Sequence, residues 1–275
     1  MESRLKVGFW GVRGSLPIAT RNSEKFGGNT SCVELRGHQG EIAIFDAGSG
    51  IRQLGECLMK EARGNPLSIH LFLSHFHWDH IQGLPFFAPL YDPANSITIC
   101  SSHHCAPLRS TLLGLMSAPY FPVAFDSLPA RLELVELAPS GKSFGSFNVN
   151  PFPVHHPQAA CGYRVESAGS VVLYVPDREH GVPEMDRLIR EQAHGADLLI
   201  HDAQYTSEEY ELRRNWGHTT WLETVSVAQD AGVKRLVLFH HDPGRSDKAI
   251  DEILGQARKL FPNTWAGREG WTVEI

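Results

Sequence analysis

Hydrophobic and polar positions follow two rhythms along the chain. Short runs rich in β-branched and aromatic residues, bounded by Gly, Pro, Asn or Asp, predict strands. They lie at Lys6–Val12, Ser31–Arg36, Ile42–Asp46, Ile69–Ser74, Ile97–Cys100, Val149–Val154, Tyr163–Glu166, Val171–Val175, Leu198–His201, Leu236–His240 and Trp271–Ile275. Apolar residues three and four apart predict helices at Ile51–Ala62, Glu184–His194, Ser207–Arg214, Trp221–Ala231 and Asp247–Leu260, several of them ending near Gly. Strands interspersed with helices, and no internal repeat, imply one layered α/β domain. No Ser/Gly- or Pro-rich linker divides it. The Pro-rich segment from Leu84 to Pro129 reads as a surface excursion, a lid or substrate wall.

Composition narrows the class. The 275 residues are 42% apolar and 20% charged, as in a soluble globular enzyme. No stretch approaches the roughly 20 apolar residues of a membrane span. The opening Met1–Arg4 runs into an apolar segment, Val7–Val12, too brief for an export signal, so a cytoplasmic protein is expected. A net charge of −6 argues against stable nucleic-acid binding, which draws on surplus Lys and Arg. A small anionic substrate stays compatible, because metal ions supply positive charge locally. The five cysteines are scattered and odd in number, which excludes a disulfide framework.

Histidine changes the picture. Nine of the fifteen fall in four groups: His75/His77/His80, His103/His104, His155/His156 and His240/His241. Neutral imidazole is the commonest metal ligand. In His75-Phe76-His77-Trp78-Asp79-His80, at a predicted strand end, alternation sends His75 and His77 to one side. The following turn brings Asp79 and His80 to a neighbouring position. Four N/O donors in six residues serve two adjacent cations, and the mixed set suits Zn, Mn or Fe. Asp177, His240 and His156 each follow an apolar strand run, where they add donors. Asp46 closes Ile42–Phe45 and reads as a carboxylate orienting a ligand histidine, or as a helix cap. Gly27–Ser31 reads as a turn, and Arg13 as a phosphate contact or a solvated charge. His103 and His104 sit in Cys100–Cys105, taken as the start of a surface helix. Trp78 is expected to pack beside the metal site.

These motifs resemble the metallo-β-lactamase superfamily, and most closely its phosphodiesterase branch, ribonuclease Z and the small cyclic-phosphate phosphodiesterases. Phe9–Pro17 is similar to that branch's opening strand–turn, Phe45–Gly48 to its next signature, and Leu73–Pro85 to its central one. His156 precedes Gly162 by six residues, as the branch's third-site histidine does. Leu199–Ala203, with Asp202 for a glutamate, resembles its His-Glu-Ala-Thr segment, Gly217–Thr220 its His-Ser-Thr segment, and Val233–His240 its last metal strand. The likeness keeps its order over nearly the whole chain.

The resemblance implies a single-domain, four-layer αββα sandwich with the site at one edge of two sheets. It also implies two divalent ions, zinc foremost with manganese or iron as substitutes. His75, His77 and His156 would hold one, Asp79, His80 and His240 the other, and Asp177 would bridge. His155 and His241 adjoin two of these. Spacing to Gly162 favours His156, and position directly after Leu236–Phe239 favours His240. Asp79 is expected to orient or deprotonate the attacking water, and His218, held by Asp202, to protonate the leaving oxygen.

The expected activity is hydrolysis of cyclic nucleotides or other small cyclic phosphates. The alternatives are a tRNA 3′-end endonuclease, a carboxylic or thioester hydrolase of lactamase or glyoxalase type, and a non-catalytic metal carrier. The first is disfavoured because the long basic arm with which ribonuclease Z grips tRNA has no obvious counterpart. A small anionic phosphodiester is the expected partner, a second copy of the chain is admissible, and no membrane is expected.

Overall fold

The computed structural model describes residues 5–102 and 105–275. Two mixed seven-stranded sheets pack face to face. The first contains β1 (Lys6–Gly11), β2 (Cys32–Arg36), β3 (Ile42–Phe45), β4 (Ser68–Leu73), β5 (Ser96–Ser102), β6 (Arg131–Leu137) and β14 (Thr272–Glu274), in the order β14-β1-β2-β3-β4-β5-β6. The second contains β7 (Lys142–Phe144), β8 (Phe147–Val154), β9 (Ala160–Ser167), β10 (Ser170–Val175), β11 (Leu198–Asp202), β12 (Leu236–Phe239) and β13 (Thr264–Ala266), in the order β13-β12-β11-β10-β9-β8-β7. Strands β3 to β6 run parallel, as do β10 to β13.

The period-2 pattern builds the layers. Phe72 of β4 faces the inter-sheet core, whereas Ile69, Leu71 and Leu73 face the outer helices. In β12, Val237 and Phe239 face inward and Leu236 and Leu238 outward. Both faces of these strands are covered, which is why they read as continuous apolar runs. Helices α1 (Ile51–Ala62) and α3 (Leu108–Leu115) cover the first sheet through Ile51, Leu54, Leu58, Leu108 and Leu112. Helices α4 (Pro183–Ala193), α6 (Trp221–Asp230) and α7 (Asp247–Leu260) cover the second. The result is the four-layer αββα sandwich. Among the described residues no helix is long and apolar enough to cross a membrane.

Several expectations need correction. The segment from Leu84 to Pro129 is not a surface excursion: Leu84, Phe87, Leu90, Leu108, Leu112 and Phe125 are buried in the core on the outer face of the first sheet. Pro85 and Pro89 sit in the first turns of two short 3₁₀ helices, so they interrupt the pattern without moving the chain outward. Strands β6, β7 and β13 and helix α3 were not expected. Two of those strands are three residues long, too short to show a period.

Candidate active site

The parallel strands end at one edge of the sandwich, where open α/β sheets place ligands. There β4 leads into His75 and His77 and a one-turn helix, α2 (Trp78–Ile81), carrying Asp79 and His80. Strand β8 leads to His156, β10 to Asp177, β11 ends in His201 and Asp202, and β12 leads to His240. Among the described residues the fold thus gathers three groups whose donor atoms lie within 4.8 Å of one another: His75, His77, His156 and Asp177; Asp79, His80, Asp177 and His240; and Asp202, His218 and His240. Asp177 is common to the first two.

Each imidazole has its outward nitrogen taken by an acceptor, so the inward nitrogen carries a lone pair. His80 Nδ1–H donates to Asp46 Oδ2 at 2.7 Å, and His240 Nδ1–H to Gln204 Oε1 at 2.7 Å. Their Nε2 atoms then face each other at 3.3 Å. His156 Nδ1–H donates to the Gly217 carbonyl at 3.0 Å and His77 Nε2–H to Gln158 Oε1 at 2.6 Å, leaving His156 Nε2 and His77 Nδ1 face to face at 3.2 Å. The Ser74 hydroxyl gives its proton to Asp46 and can only accept from His75 Nδ1, 3.1 Å away. Lone pairs and carboxylate oxygens converging in a buried space repel unless a cation lies among them. His75 Nε2 and Asp177 Oδ1 are buried with no hydrogen-bond partner in the protein, as metal donors would be. The residues present therefore fit a metal site.

Electrostatics agree. Burial pushes the His75 ring far below its ordinary pKa and His156 down to about 4, which keeps both neutral. Burial opposes charge on His80 too, but Asp177, Asp79 and Asp46 raise its pKa well above the ordinary value. Those carboxylates draw in a positive charge, and a proton competes with a metal ion for that place.

Beside the first two groups, His218 Nδ1 lies 3.0 Å from Asp202 Oδ2 and 3.8 Å from Asp177 Oδ2. Asp202 is itself held by the backbone N–H groups of Arg178 (3.1 Å) and Gln204 (2.9 Å). Burial disfavours the charged form of His218, but the adjacent Asp202 carboxylate outweighs it and raises the pKa. The His218 ring lies over His240, centroids 4.9 Å apart, so the Asp–His pair sits against the metal-type cluster.

All nine residues expected at the site (Asp79, His218, Asp202, His75, His77, His80, His156, Asp177 and His240) come together. Their neighbours separate: His241 Nε2 points away to the Gly267 carbonyl at 3.1 Å, and His155 joins none of the groups. Asp46 takes the orienting role and does not cap α1. Arg13 is neither a phosphate contact nor solvated. It is fully buried, donating to the carbonyls of Gly27, Asp242 and Arg245, and so ties down the loop after His240. Trp78, expected to pack beside the metal site, is instead 65% exposed at the start of α2, next to His77. His103 and His104 lie outside the described residues, and the helix expected from Cys100 starts only at Leu108.

Sequence reasoning missed several contributors. Ser15 N–H donates to Asp79 Oδ2 at 2.7 Å, and Tyr174 OH to Asp46 Oδ2 at 2.8 Å. Gln204 and Gln158 hold two of the imidazoles. Ser15, Asp46 and His240 adopt positive φ (62°, 61° and 58°), a cost that concentrates at functional sites. Gly14 is also required, since a Cβ there would lie 2.3 Å from His240 Nδ1. Only the turn chemistry of Gly14–Ser15 was visible beforehand.

Comparison with known proteins bears on this geometry. A family model described as the beta-lactamase superfamily domain matches residues 43–241. Ribonuclease Z of Methanosarcina acetivorans is 29% identical, the alignment covering 98% of this chain and 98% of that protein. Among solved structures, a diphosphatase from the PhnP family superposes with a TM-score of 0.72 at 17% identity, covering 99% of this chain and 98% of that one. The short form of human tRNase Z superposes with a TM-score of 0.70 at 22% identity, covering 98% and 99%.

Proposed function

The chain belongs to the beta-lactamase superfamily and is a hydrolase of the metallo-β-lactamase fold, and from that premise we propose a dinuclear-metal phosphodiesterase that cuts ribonucleotide phosphodiesters. Endonucleolytic processing of a tRNA 3′ end is the first substrate assignment, supported by the full-length likeness to ribonuclease Z. The observation that carries the phosphodiesterase reading is the inward convergence of imidazole lone pairs and aspartate oxygens beside an Asp202–His218 pair.

In this reading His75, His77 and His156 would hold one ion, Asp79, His80 and His240 the other, and Asp177 would contribute to both. Zinc is the assigned metal, from the imidazole–carboxylate donor set. Such a pair supplies an acidified water near neutral pH and neutralises charge developing on the phosphoryl oxygens. Asp79, its Oδ2 fixed by Ser15 N–H, orients the attacking water. His218 delivers a proton from Nε2 to the leaving oxygen, while Asp202 on Nδ1 fixes its tautomer and stabilises its charged form. That pair has no task in lactam or thioester hydrolysis by a metal-bound nucleophile, nor in a metal carrier.

A second substrate reading, small cyclic phosphates, is favoured by the net charge of −6, which suits a compact anion better than a polyanionic RNA. Turnover of bis(p-nitrophenyl) phosphate, abolished by chelation, tests the reaction class. Pre-tRNA assayed beside 2′,3′- and 3′,5′-cyclic nucleotides tests the substrate. Cleavage of pre-tRNA at the 3′ trailer is expected; turnover of cyclic nucleotides alone would transfer the assignment to the second reading.

A further inference from the structure

Two tryptophans stand exposed at the site, Trp78 at 65% and Trp216 at 63%. Single exposed apolar residues are ordinary, but these two are joined through the site itself. Trp78 follows His77; His77 faces His156 at 3.2 Å; His156 Nδ1–H donates to the carbonyl of Gly217, which follows Trp216. One indole is therefore attached at each end of the His77–His156 pair.

Both are carried on held backbone. Trp78 opens α2, whose next residues, Asp79, His80 and Ile81, are buried. Trp216 sits in a turn clamped by the buried Glu179 carboxylate, which accepts Asn215 N–H at 2.7 Å, Gly217 N–H at 2.9 Å and Tyr210 OH at 3.2 Å. Gly217 has φ +88°, and a Cβ there would lie 2.3 Å from His156 Nδ1, so the turn cannot shift without disturbing the cluster. Two amide side chains stand exposed beside them: Gln158, which accepts from His77, and Asn215, which precedes Trp216. Large flat rings on rigid supports, with amide groups nearby, suit planar heteroaromatic rings with polar edges better than a flexible apolar chain.

We infer that Trp78 and Trp216 are specificity residues that stack on nucleobases flanking the reacting phosphate, one at each end of the His77–His156 pair. The inference deepens the phosphodiesterase reading and rests on it for the place of the phosphate. Stacking is tolerant of base identity, because every base has a π-face, so the same residues serve an RNA end or a small nucleotide.

The test compares AMP with ribose 5-phosphate, which keeps the phosphate and sugar but has no base. Binding to the zinc-loaded protein is measured by calorimetry for the wild type, W78A, W216A and the aromatic replacements W78F and W216F. AMP has one base and stacks on one indole at a time, so one of the two alanine variants is expected to bind it roughly tenfold more weakly, as loss of one stacked base implies. Ribose 5-phosphate affinity should be unchanged, and the phenylalanine variants should recover most of the AMP affinity. A wild type that prefers AMP no more than ribose 5-phosphate overturns the inference, and so do alanine variants that weaken both ligands equally or neither. Bis(p-nitrophenyl) phosphate has no base. Its turnover without any AMP preference defeats the stacking role alone, whereas AMP preference without its turnover defeats the hydrolase reading alone.

Discussion

Asp46 Oδ2 accepts the Nδ1–H of His80 at 2.7 Å, across 34 residues of sequence. The same carboxylate accepts Ser74 N–H, Ser74 OH and Tyr174 OH. One buried side chain therefore sets the tautomer of His80 and, through Ser74, that of His75. An acceptor behind a metal-ligating imidazole raises its basicity and fixes its aim.

Asp46→Asn should therefore weaken metal binding by about 10–100-fold without touching any metal-facing atom. It should also cost about 1–3 kcal/mol of stability, since an amide cannot accept from all of its present donors. Chelator competition and denaturant unfolding of the variant check the two effects. Unchanged metal affinity would remove Asp46 from the orienting role.

Metal content separates the adjacent histidines. About two ions per chain are expected after reconstitution, as a dinuclear hydrolase requires. His240→Ala and His77→Ala should each lose metal together with activity, because a donor is removed. His241→Ala should keep the metal and lose only stability, since His241 binds the Gly267 carbonyl and burial drives its pKa down to about 3. Elemental analysis showing a full complement in His240→Ala and a deficit in His241→Ala would reverse the assignment.

His218→Ala should keep its metals but lose about 10²–10⁴-fold in rate on esters whose leaving group is a ribose alkoxide. On p-nitrophenyl esters, whose leaving group is stable as an anion, the loss should be small. Asp202→Asn should follow the same pattern more weakly, because it disturbs the aim of His218 without removing it. Equal losses on both ester types would make His218 a substrate-binding residue and withdraw the proton-donor role.

Gly14→Ala places a methyl group 2.3 Å from His240 Nδ1. The same methyl would lie 2.7 Å from Gln204 Oε1, so the imidazole and the amide that holds it must both shift. A loss of about 1–3 kcal/mol, typical of overpacking, should accompany lower metal occupancy. Thermal unfolding followed with and without added zinc reads both effects; a normal zinc-induced rise in Tm would show that His240 tolerates the shift.

The chain's apolar pattern alone determined the strands that matter and the points where they end. Ile51–Ala62 and Asp247–Leu260 match α1 and α7 residue for residue. Seven of the nine candidate residues were visible because each follows a strand run or lies in a dense local motif, whereas His218 and Asp202 were legible only through the resemblance to the phosphodiesterase branch. Period and run length are local properties, and a strand buried on both faces announces itself by composition. What tertiary structure decided is the partner of each polar group. Asp46 meets Tyr174 across 128 residues and Asp79 meets Ser15 across 64, and no local pattern encodes those pairings. A buried arginine tying a loop has the same letter as a solvated one, so Arg13 was ambiguous until the strands around it were packed. Position after Leu236–Phe239 favoured His240 over His241, but consecutive residues leave a strand end in opposite directions, and the first sheet, whose β4 leads into His75–His80, decides which direction faces the metal-type cluster.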